Sequence, residues 1–249
     1  SFIGKKMDGT PSKKPFVYRV HDVPDPDKIG DFSRFVKQFG HQMIMKTTKD
    51  ITNSINRVLA DVSGKREENI VELLAIRTMS KAKYTTENIG HYGLGFQYYT
   101  HFTSPIRRWP DVMVHRLLQH YLDGEKIKNI EAIEAQCKHS SEMEKLSTDA
   151  ERSSVKYMQV KYLEGKEGQE FNALISGVTE FGMFVELEDS LCEGLVSIRD
   201  IKDDHYVLHK ESYSLIGRKT GNKFQLGDPL RVRVRNVDLV KKQLDFELV

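Results

Sequence analysis

Apolar side chains recur at helical spacing through roughly the first two thirds of the chain. The clearest segment covers residues 26–39, where Asp25 is placed to cap a helix and Pro26 to occupy its first position. Gly40 follows the segment, as is common just after a helix ends. The pattern predicts a helix whose buried face carries Ile29, Phe32, Phe35, Val36 and Phe39.

Further helical patterns follow this segment. They cover residues 50–62, 68–84 and 111–124, and a long polar stretch over 130–163 is compatible with one helix or with two in sequence. The sequence therefore predicts a mostly helical region up to about residue 165.

After Gly165 the period of the pattern changes to two, which is typical of β-strands. Five short strand segments are predicted, with an insertion over about 198–227 between the third and the fourth. In chain order they are EFNALISGV, FGMFVELE, EGLVSI, DPLRVRVRNVD and KQLDFELV. Five such strands predict a small closed barrel, so the fold class is α+β.

The fourth strand segment alternates apolar and basic residues. Its apolar positions, Leu230, Val232, Val234 and Val237, are predicted to face the barrel interior. The alternate positions would then present three guanidinium groups outward, from Arg231, Arg233 and Arg235.

Composition limits the functional classes. The chain has 249 residues, 39% hydrophobic and 30% charged, with two widely separated cysteines that match no metal or redox spacing. No apolar run is long enough for a membrane span and no signal-peptide pattern begins the chain, so a cytoplasmic location is expected. Net charge is only +2, but residues 210–242 hold nine Lys/Arg against three Asp/Glu. This asymmetry fits a polyanion partner bound by one face, and it also fits a plain solvated surface.

A dense stretch, YYTHFTSPIRRWPDVMVHR, occupies residues 98–116. Ser104 is placed to cap a helix start, and Pro110 lacks the N–H that a helix interior would need. We expect a tight turn over 104–109 followed by a helix from Pro110 or Asp111. Turn amides favour an anion, and Arg107 adds a planar fork suited to phosphate oxygens. The alternative for Arg107 is an ion pair with Asp111.

These segments resemble a known family. FVYRVHDVPDPDKI, NIGHYGLGFQYYTHFTSPIRRWPDVMVHRLL and DAERSSVKYM, in this order, are similar to the C-terminal half of the catalytic domain of the ribonuclease II/R family. SGVTEFGMFVEL and LCEGLVSI resemble the S1 type of RNA-binding OB-fold. The resemblance implies a processive 3′-to-5′ hydrolytic exoribonuclease, with residues 1–165 as catalytic-domain portion and 166–249 as S1-type domain.

The resemblance also implies roles for residues of the helical region. The first arginine of the S-P-I-R motif acts at the scissile phosphate in the family, and that position is Arg107 here. Arg108 receives a lesser, RNA-binding role. Glu151, in DAERS, matches a family glutamate near the active site.

In the S1-type region, the resemblance implies that Phe181 and Phe184 stack on RNA bases. Alternation places them on different faces, and Phe184 is expected to be the more exposed, with Phe181 near the rim. The alternative is that both are core residues. Arg231, Arg233 and Arg235 are further RNA-binding candidates, and weaker ones in the insertion are Lys202, His205 and Tyr206.

One family motif has no counterpart. The family binds Mg²⁺ through aspartates spaced Asp-x5-Asp-x-Asp-Asp, and nothing in this chain matches, so no metal-binding residue is predicted. The chain is therefore expected to be an inactive part of a longer nuclease. The alternatives are a non-catalytic RNA-binding module or a scaffold of an RNA-degradation complex. An apolar face around Phe2, Ile3, Phe16 and Val17 is expected to be uncovered, which would lead to self-association or to a partly disordered N-terminus.

Overall fold

The computed structural model describes residues 14–65, 67–127, 129–209 and 212–249. Its helices are α1 (Pro26–Lys37), α2 (Thr48–Val62), α3 (Glu68–Thr78), α4 (Trp109–Leu122) and α5 (Ile130–Leu163). Its strands are β1 (Tyr18–Val20), β2 (Lys83–Thr85), β3 (Glu170–Thr179), β4 (Gly182–Leu187), β5 (Glu193–Ser197), β6 (Tyr206–His209), β7 (Ser214–Gly217), β8 (Lys223–Gln225), β9 (Pro229–Asp238) and β10 (Gln243–Leu248). The α+β class is confirmed.

The predicted caps of α1 are present. The Oδ1 atom of Asp25 accepts a hydrogen bond from the amide of Asp27 at 3.0 Å, and the helix begins at Pro26. Gly40, which follows the helix, has a φ of 87°. Of the predicted inward residues, Ile29, Phe32, Phe35 and Val36 are buried, and Phe39 is half-buried.

Two helix boundaries differ from the prediction. The helix predicted over 68–84 ends at Thr78, because the chain leaves it to form β2, which pairs antiparallel with β1. Short three-residue strands carry too little alternation to be recognised in a sequence. The stretch over 130–163 is a single helix of 34 residues.

The chain divides into two compact units, one comprising residues up to 29 and 78–149, the other residues 30–77 and 150–249. The core of the first unit contains residues from β1, β2, α4 and α5. Phe16 and Val17 belong to this core and are fully buried, so the expected uncovered apolar face is wrong for both. Phe2 and Ile3 lie outside the described residues, and self-association stays a prediction.

In the second unit, β10, β5, β4, β3 and β9 form a closed barrel in that order. The five barrel strands match the five predicted segments, and their inward residues include Ile175, Val185, Val232 and Phe246. The insertion contains an additional three-stranded sheet, β6–β7–β8, which the sequence did not predict.

A register shift in β9 explains the change of apolar phase along this strand. Val234 pairs with Phe246 while Asn236 pairs with Asp245, which leaves Arg235 as an extra residue. Such a bulge reverses the facing of the positions beyond it. The inward series Val232 and Val234 therefore continues at Val237, as the sequence pattern indicated.

Candidate nucleic-acid interface

The S-P-I-R-R segment forms a closed turn before α4. The carbonyl of Ser104 accepts hydrogen bonds from the amides of Arg107 and Arg108 at 3.3 and 3.1 Å. The helix begins at Trp109, with Pro110 in its first turn, as expected. The predicted capping role of Ser104 is wrong, because Arg108 occupies the cap position and makes no side-chain cap bond.

Asp111 stabilises this turn from inside. Its side chain is fully buried, and its Oδ2 atom accepts hydrogen bonds from the amide of Ser104 at 2.8 Å and from Nη2 of Arg108 at 3.0 Å. The Nε atom of Arg108 also lies 2.9 Å from Oδ1 of Asp111. Arg108 is thus the arginine that pairs with Asp111, and it helps to hold the turn.

Arg107 differs from Arg108 in its exposure and in its contacts. Its side chain is exposed, and it forms no ion pair or side-chain hydrogen bond with any residue of the described ranges. The alternative considered from the sequence, a pair between Arg107 and Asp111, is therefore not formed. The guanidinium of Arg107 is available for an anion.

A cavity of about 640 Å³ opens beside this turn, within the first unit. Arg107, Arg108 and the indole of Trp109 form one side of it, and α5 contributes His139, Ser140, Ser147 and Thr148. Trp109 is half-exposed, and its Nε1 atom donates to Oε1 of Gln136 at 3.0 Å. The cavity combines a free cation, an exposed aromatic ring and hydroxyl groups, a set suited to a phosphate-linked ligand.

Ordered polar contacts support the floor of the same cavity. The Nη2 atom of Arg19 donates to Oε1 of Glu144 at 3.0 Å, and the guanidinium lies 4.6 Å from the ring centre of Tyr84. The hydroxyl of Tyr84 lies 2.8 Å from Nδ1 of His101. Burial, with the positive charges of Arg108 and Arg19, lowers the pKa of His101 to about 4. His101 is therefore neutral at pH 7 and adds no charge.

The barrel presents the two phenylalanines unequally. Phe181 lies in the turn between β3 and β4 and is 76% exposed, while Phe184 points outward from β4 and is 37% exposed. The expectation that Phe184 is the more exposed is wrong, because its ring lies against Gly177, whose added Cβ would sit 3.6 Å from the Cβ of Phe184. The alternation of side chains along β4 correctly predicted that Phe184 points outward and Met183 inward. It could not predict the exposure of Phe181, because that residue lies in the turn before the strand.

Gly182, between the two rings, is required by the backbone. Its φ is 148°, and a Cβ at this position would lie 2.1 Å from the carbonyl oxygen of Val196. No other residue fits without displacing β5. Gly182 thus allows the tight turn that places Phe181 at the edge of the barrel, just ahead of the strand that carries Phe184.

The arginines of β9 are held by carboxylates. Glu170 lies 3.4 Å from Arg231 and 2.7 Å from Arg233, and Arg233 also donates to Glu247 at 3.1 Å. Arg235 pairs with Asp200. The hydrogen bond from Arg233 holds the pKa of Glu170 below its ordinary value. These guanidinium groups point outward as predicted, but each one is already matched by a negative charge.

In the insertion, Lys202 and His205 are exposed, whereas Tyr206 is buried. The hydroxyl of Tyr206 donates to Asp203 at 2.8 Å, so its ring offers no free stacking surface. Burial raises the pKa of Tyr206 to about 12.

Comparison with known proteins bears on this arrangement. Residues 5–124 match the model of the RNB domain, and residues 164–248 match that of the S1 RNA binding domain. Ribonuclease R of Aquifex aeolicus is 40% identical over 94% of this chain and 34% of its own length. The chain belongs to the ribonuclease II/R family.

Solved structures agree with this family. RNase R of Mycoplasma genitalium, determined alone and with ribose-methylated single-stranded RNA, superposes with a TM-score of 0.83 at 28% identity, over 95% of this chain and 38% of that one. Yeast Ssd1, described as a pseudonuclease, shares the fold at 20% identity with a TM-score of 0.67, over 86% of this chain and 27% of its own. The chain spans about a third of the length of the curated relatives it matches.

The other catalytic candidate of the ribonuclease II/R resemblance, Glu151, lies on α5 in the second unit. Its side chain is exposed and makes no hydrogen bond or ion pair with a described residue. Its role stays a prediction.

Sequence reasoning missed the basic residues of the inserted sheet, Arg218, Lys219 and Lys223, which are all exposed. Part of the signal was present, since they lie inside the basic segment 210–242. Which cations of that segment are paired depends on carboxylates that are distant in the sequence, so a local pattern cannot show it.

No helix in the described part of the chain is long and apolar enough to cross a membrane.

Proposed function

We propose that this chain is part of a processive 3′-to-5′ hydrolytic exoribonuclease that releases nucleoside monophosphates, and that the chain itself binds single-stranded RNA. The match to the RNB and S1 models and the relatives named ribonuclease R support the nuclease. The solved relative bound to single-stranded RNA supports the ligand. A cytoplasmic location is part of the same proposal.

The observation that carries the proposal is the contrast between Arg107 and Arg108. Arg108 pairs with buried Asp111, and that pair supports the turn from which Arg107 projects beside the cavity without an ion pair to any described residue. The backbone of this turn is already braced when an anion arrives, so only the Arg107 side chain has to be ordered. We assign Arg107 to the phosphate being cleaved.

The chemical role follows from where charge develops. As the phosphodiester bond breaks, negative charge grows on the phosphoryl oxygens, so a guanidinium that contacts these oxygens stabilises the transition state more than the ground state. The planar fork contacts two oxygens at once, which an ammonium group cannot do.

The hydrolysis of RNA in this family relies on Mg²⁺, but the described residues contain no group of three or more His, Cys, Asp or Glu side chains that could hold a metal. The residues present therefore do not fit the ion, and its ligands would have to come from the remainder of the longer protein. We therefore expect the isolated chain to cleave no RNA.

The test uses the full-length parent enzyme with Arg107→Ala and Arg107→Lys. Single-turnover cleavage should slow by about 10²–10³-fold for Arg107→Ala, the range for removal of one transition-state donor. Arg107→Lys should be nearly as slow, because the charge remains but the fork is removed. RNA affinity, measured in parallel, should change little. Loss of affinity equal to the loss of rate would make Arg107 a binding residue.

The alternative function is a non-catalytic RNA-binding module or scaffold. The fold also occurs in a pseudonuclease, so the fold alone does not separate the two possibilities. The same experiment does so, since a scaffold would show no cleavage in the full-length protein and Arg107 would have no rate to affect.

A further inference from the structure

The inserted sheet carries a group of cations that pair with no carboxylate among the described residues. Arg218, Lys219 and Lys223, which we call the basic tip, lie within six positions at the β7–β8 turn. All three are exposed, and none forms an ion pair with a residue in the described ranges. Arg231, Arg233 and Arg235 of β9, in contrast, are all paired.

The basic tip is held in one conformation by Asp204. The Oδ2 atom of Asp204 accepts hydrogen bonds from the amides of Lys219 and Thr220 at 2.8 and 2.7 Å, and from the Thr220 hydroxyl at 2.8 Å. These bonds, with the one donated by the His205 amide, hold the pKa of Asp204 well below its usual range. The carboxylate is thus occupied by backbone donors and does not pair with the neighbouring cations.

The turn is also closed by backbone contacts. The amide of Gly217 donates to the carbonyl of Asn222 at 2.9 Å, and the amide of Gly221 donates to Gly217 at 3.1 Å. A Cβ at Gly217 would lie 2.5 Å from Oδ2 of Asp204, so glycine is needed for this carboxylate to enter the turn. The tip is therefore a rigid support for its three charges.

Two candidates from the sequence lie at the same end of the sheet. The amide of Arg218 donates to the carbonyl of His205 at 3.0 Å, which fixes the basic tip beside the segment that carries Lys202 and His205. Both of these side chains are exposed. Four cations and one histidine thus share one end of the inserted sheet with the carboxylates of Asp203 and Asp204, so positive charges outnumber negative ones there.

We infer that the basic tip is a second RNA-binding surface of the barrel, which binds the phosphodiester backbone apart from the base-stacking phenylalanines. This rests on the proposed RNA binding and names which cations perform it. Unpaired cations on a rigid turn bind phosphates by releasing counterions, whereas cations already paired with carboxylates release few. Binding by the tip is independent of base sequence, because phosphates carry no base identity.

The test compares three forms of the chain in binding a labelled oligo(A), without divalent ions, over about 50 to 200 mM salt. The forms are the unchanged chain, the triple variant Arg218→Gln, Lys219→Gln, Lys223→Gln, and the control Lys46→Gln, Lys49→Gln, Lys65→Gln. The control removes the same charge from exposed lysines of the same unit that form no ion pair with a described residue. All six substitutions are on the surface, and circular dichroism checks that each form is folded.

The tip variant should bind at least about tenfold more weakly at the lowest salt, and the slope of log affinity against log salt should fall by about 2, near 0.7 for each phosphate that is no longer bound. The control should stay within about twofold of the unchanged chain. Equal affinities and slopes for the two variants would overturn the proposal that the basic tip binds RNA, but not the proposal that the chain binds RNA. No salt-dependent binding by the unchanged chain would overturn RNA binding itself.

Discussion

Clustered arginines occur in the turn before α4 and in strand β9, and carboxylates pair with one arginine of the first set but with all of the second. In the turn, Asp111 pairs with Arg108, whereas Arg107 forms no ion pair with a described residue. In β9, every arginine pairs with at least one carboxylate, from Glu170, Glu247 or Asp200. On the inserted sheet, in contrast, Arg218, Lys219 and Lys223 are exposed and pair with no carboxylate of the described residues. A basic sequence pattern therefore does not identify an anion site until its carboxylate partners are located.

The two regions also differ in what the pairing accomplishes. The Arg108–Asp111 pair is buried on the aspartate side and braces a turn, so its removal should be costly. The β9 pairs are partly exposed, and pairs of this kind contribute little to stability. The first kind of pair supports a neighbouring free arginine, whereas the second mainly cancels charge.

The largest effect is expected for Asp111→Ala. This change leaves the amide of Ser104 without its acceptor and Arg108 without its partner, so the free energy of unfolding should fall by about 3 kcal/mol or more. Chemical denaturation of the chain measures it. Asp149→Ala, which alters an exposed aspartate of the same unit, should change stability by less than about 0.5 kcal/mol. Equal effects would mean that the turn does not depend on the buried pair.

The next effect concerns the phenylalanines of the barrel. Phe181→Ala should weaken binding of oligo(A) by the equivalent of about 1–3 kcal/mol, the worth of one stacked base. Phe184→Ala should cost less, because its ring already lies against Gly177 and exposes a smaller area. Val240→Ala removes another exposed apolar side chain of the barrel and should leave affinity unchanged. A larger loss at Phe184 than at Phe181 would reverse the order that the exposures indicate.

Much of the fold could be predicted from local pattern. Alternation located all five barrel strands, and the Asp25–Pro26 cap located the start of α1. The inserted sheet was missed because its strands have three or four residues, too few to establish a period. The end of α3 was missed because the helical pattern continued into residues that pair with β1 instead.

The candidate interface was less predictable than the fold. The motif containing Arg107 was recognisable, but the partner of Arg108 depends on a buried carboxylate whose orientation is not visible in the sequence. The pairing of Arg233 with Glu170 spans 63 positions, well beyond any local pattern. Burial of Tyr206 likewise follows from the packing of the inserted sheet. Residue types were therefore predictable, whereas their pairing and exposure required the structure.

A smaller effect is expected from pH. The pKa of His101 is lowered to about 4 in the folded chain, against an unfolded value of about 6.5, so the unfolded state binds more protons between these values. The stabilisation by neutral His101 is present above about pH 6.5 and is lost as pH falls towards 4. The full shift corresponds to about 3 kcal/mol, and solvent screening of the partly buried ring reduces the expected loss to about 1–2 kcal/mol. His101→Gln cannot titrate and should flatten the fall in stability over this range. An unchanged slope in the variant would show that His101 does not contribute to it.

The smallest effects on RNA affinity are expected for the two partners of one ion pair in the barrel, Arg231 and Glu170. Arg231→Gln should leave affinity for oligo(A) within about twofold, since Glu170 already neutralises this arginine. Glu170→Gln should raise affinity a few-fold, because it frees Arg231 to contact phosphate and leaves Arg233 paired with Glu247 alone. Glu188→Gln removes the same charge from an exposed glutamate of the barrel that has no arginine partner in the described ranges, and it should raise affinity less. If Arg231→Gln weakened binding as much as the basic-tip variant, pairing with Glu170 would not prevent β9 from contacting RNA, and the distinction between paired and free arginines would fail.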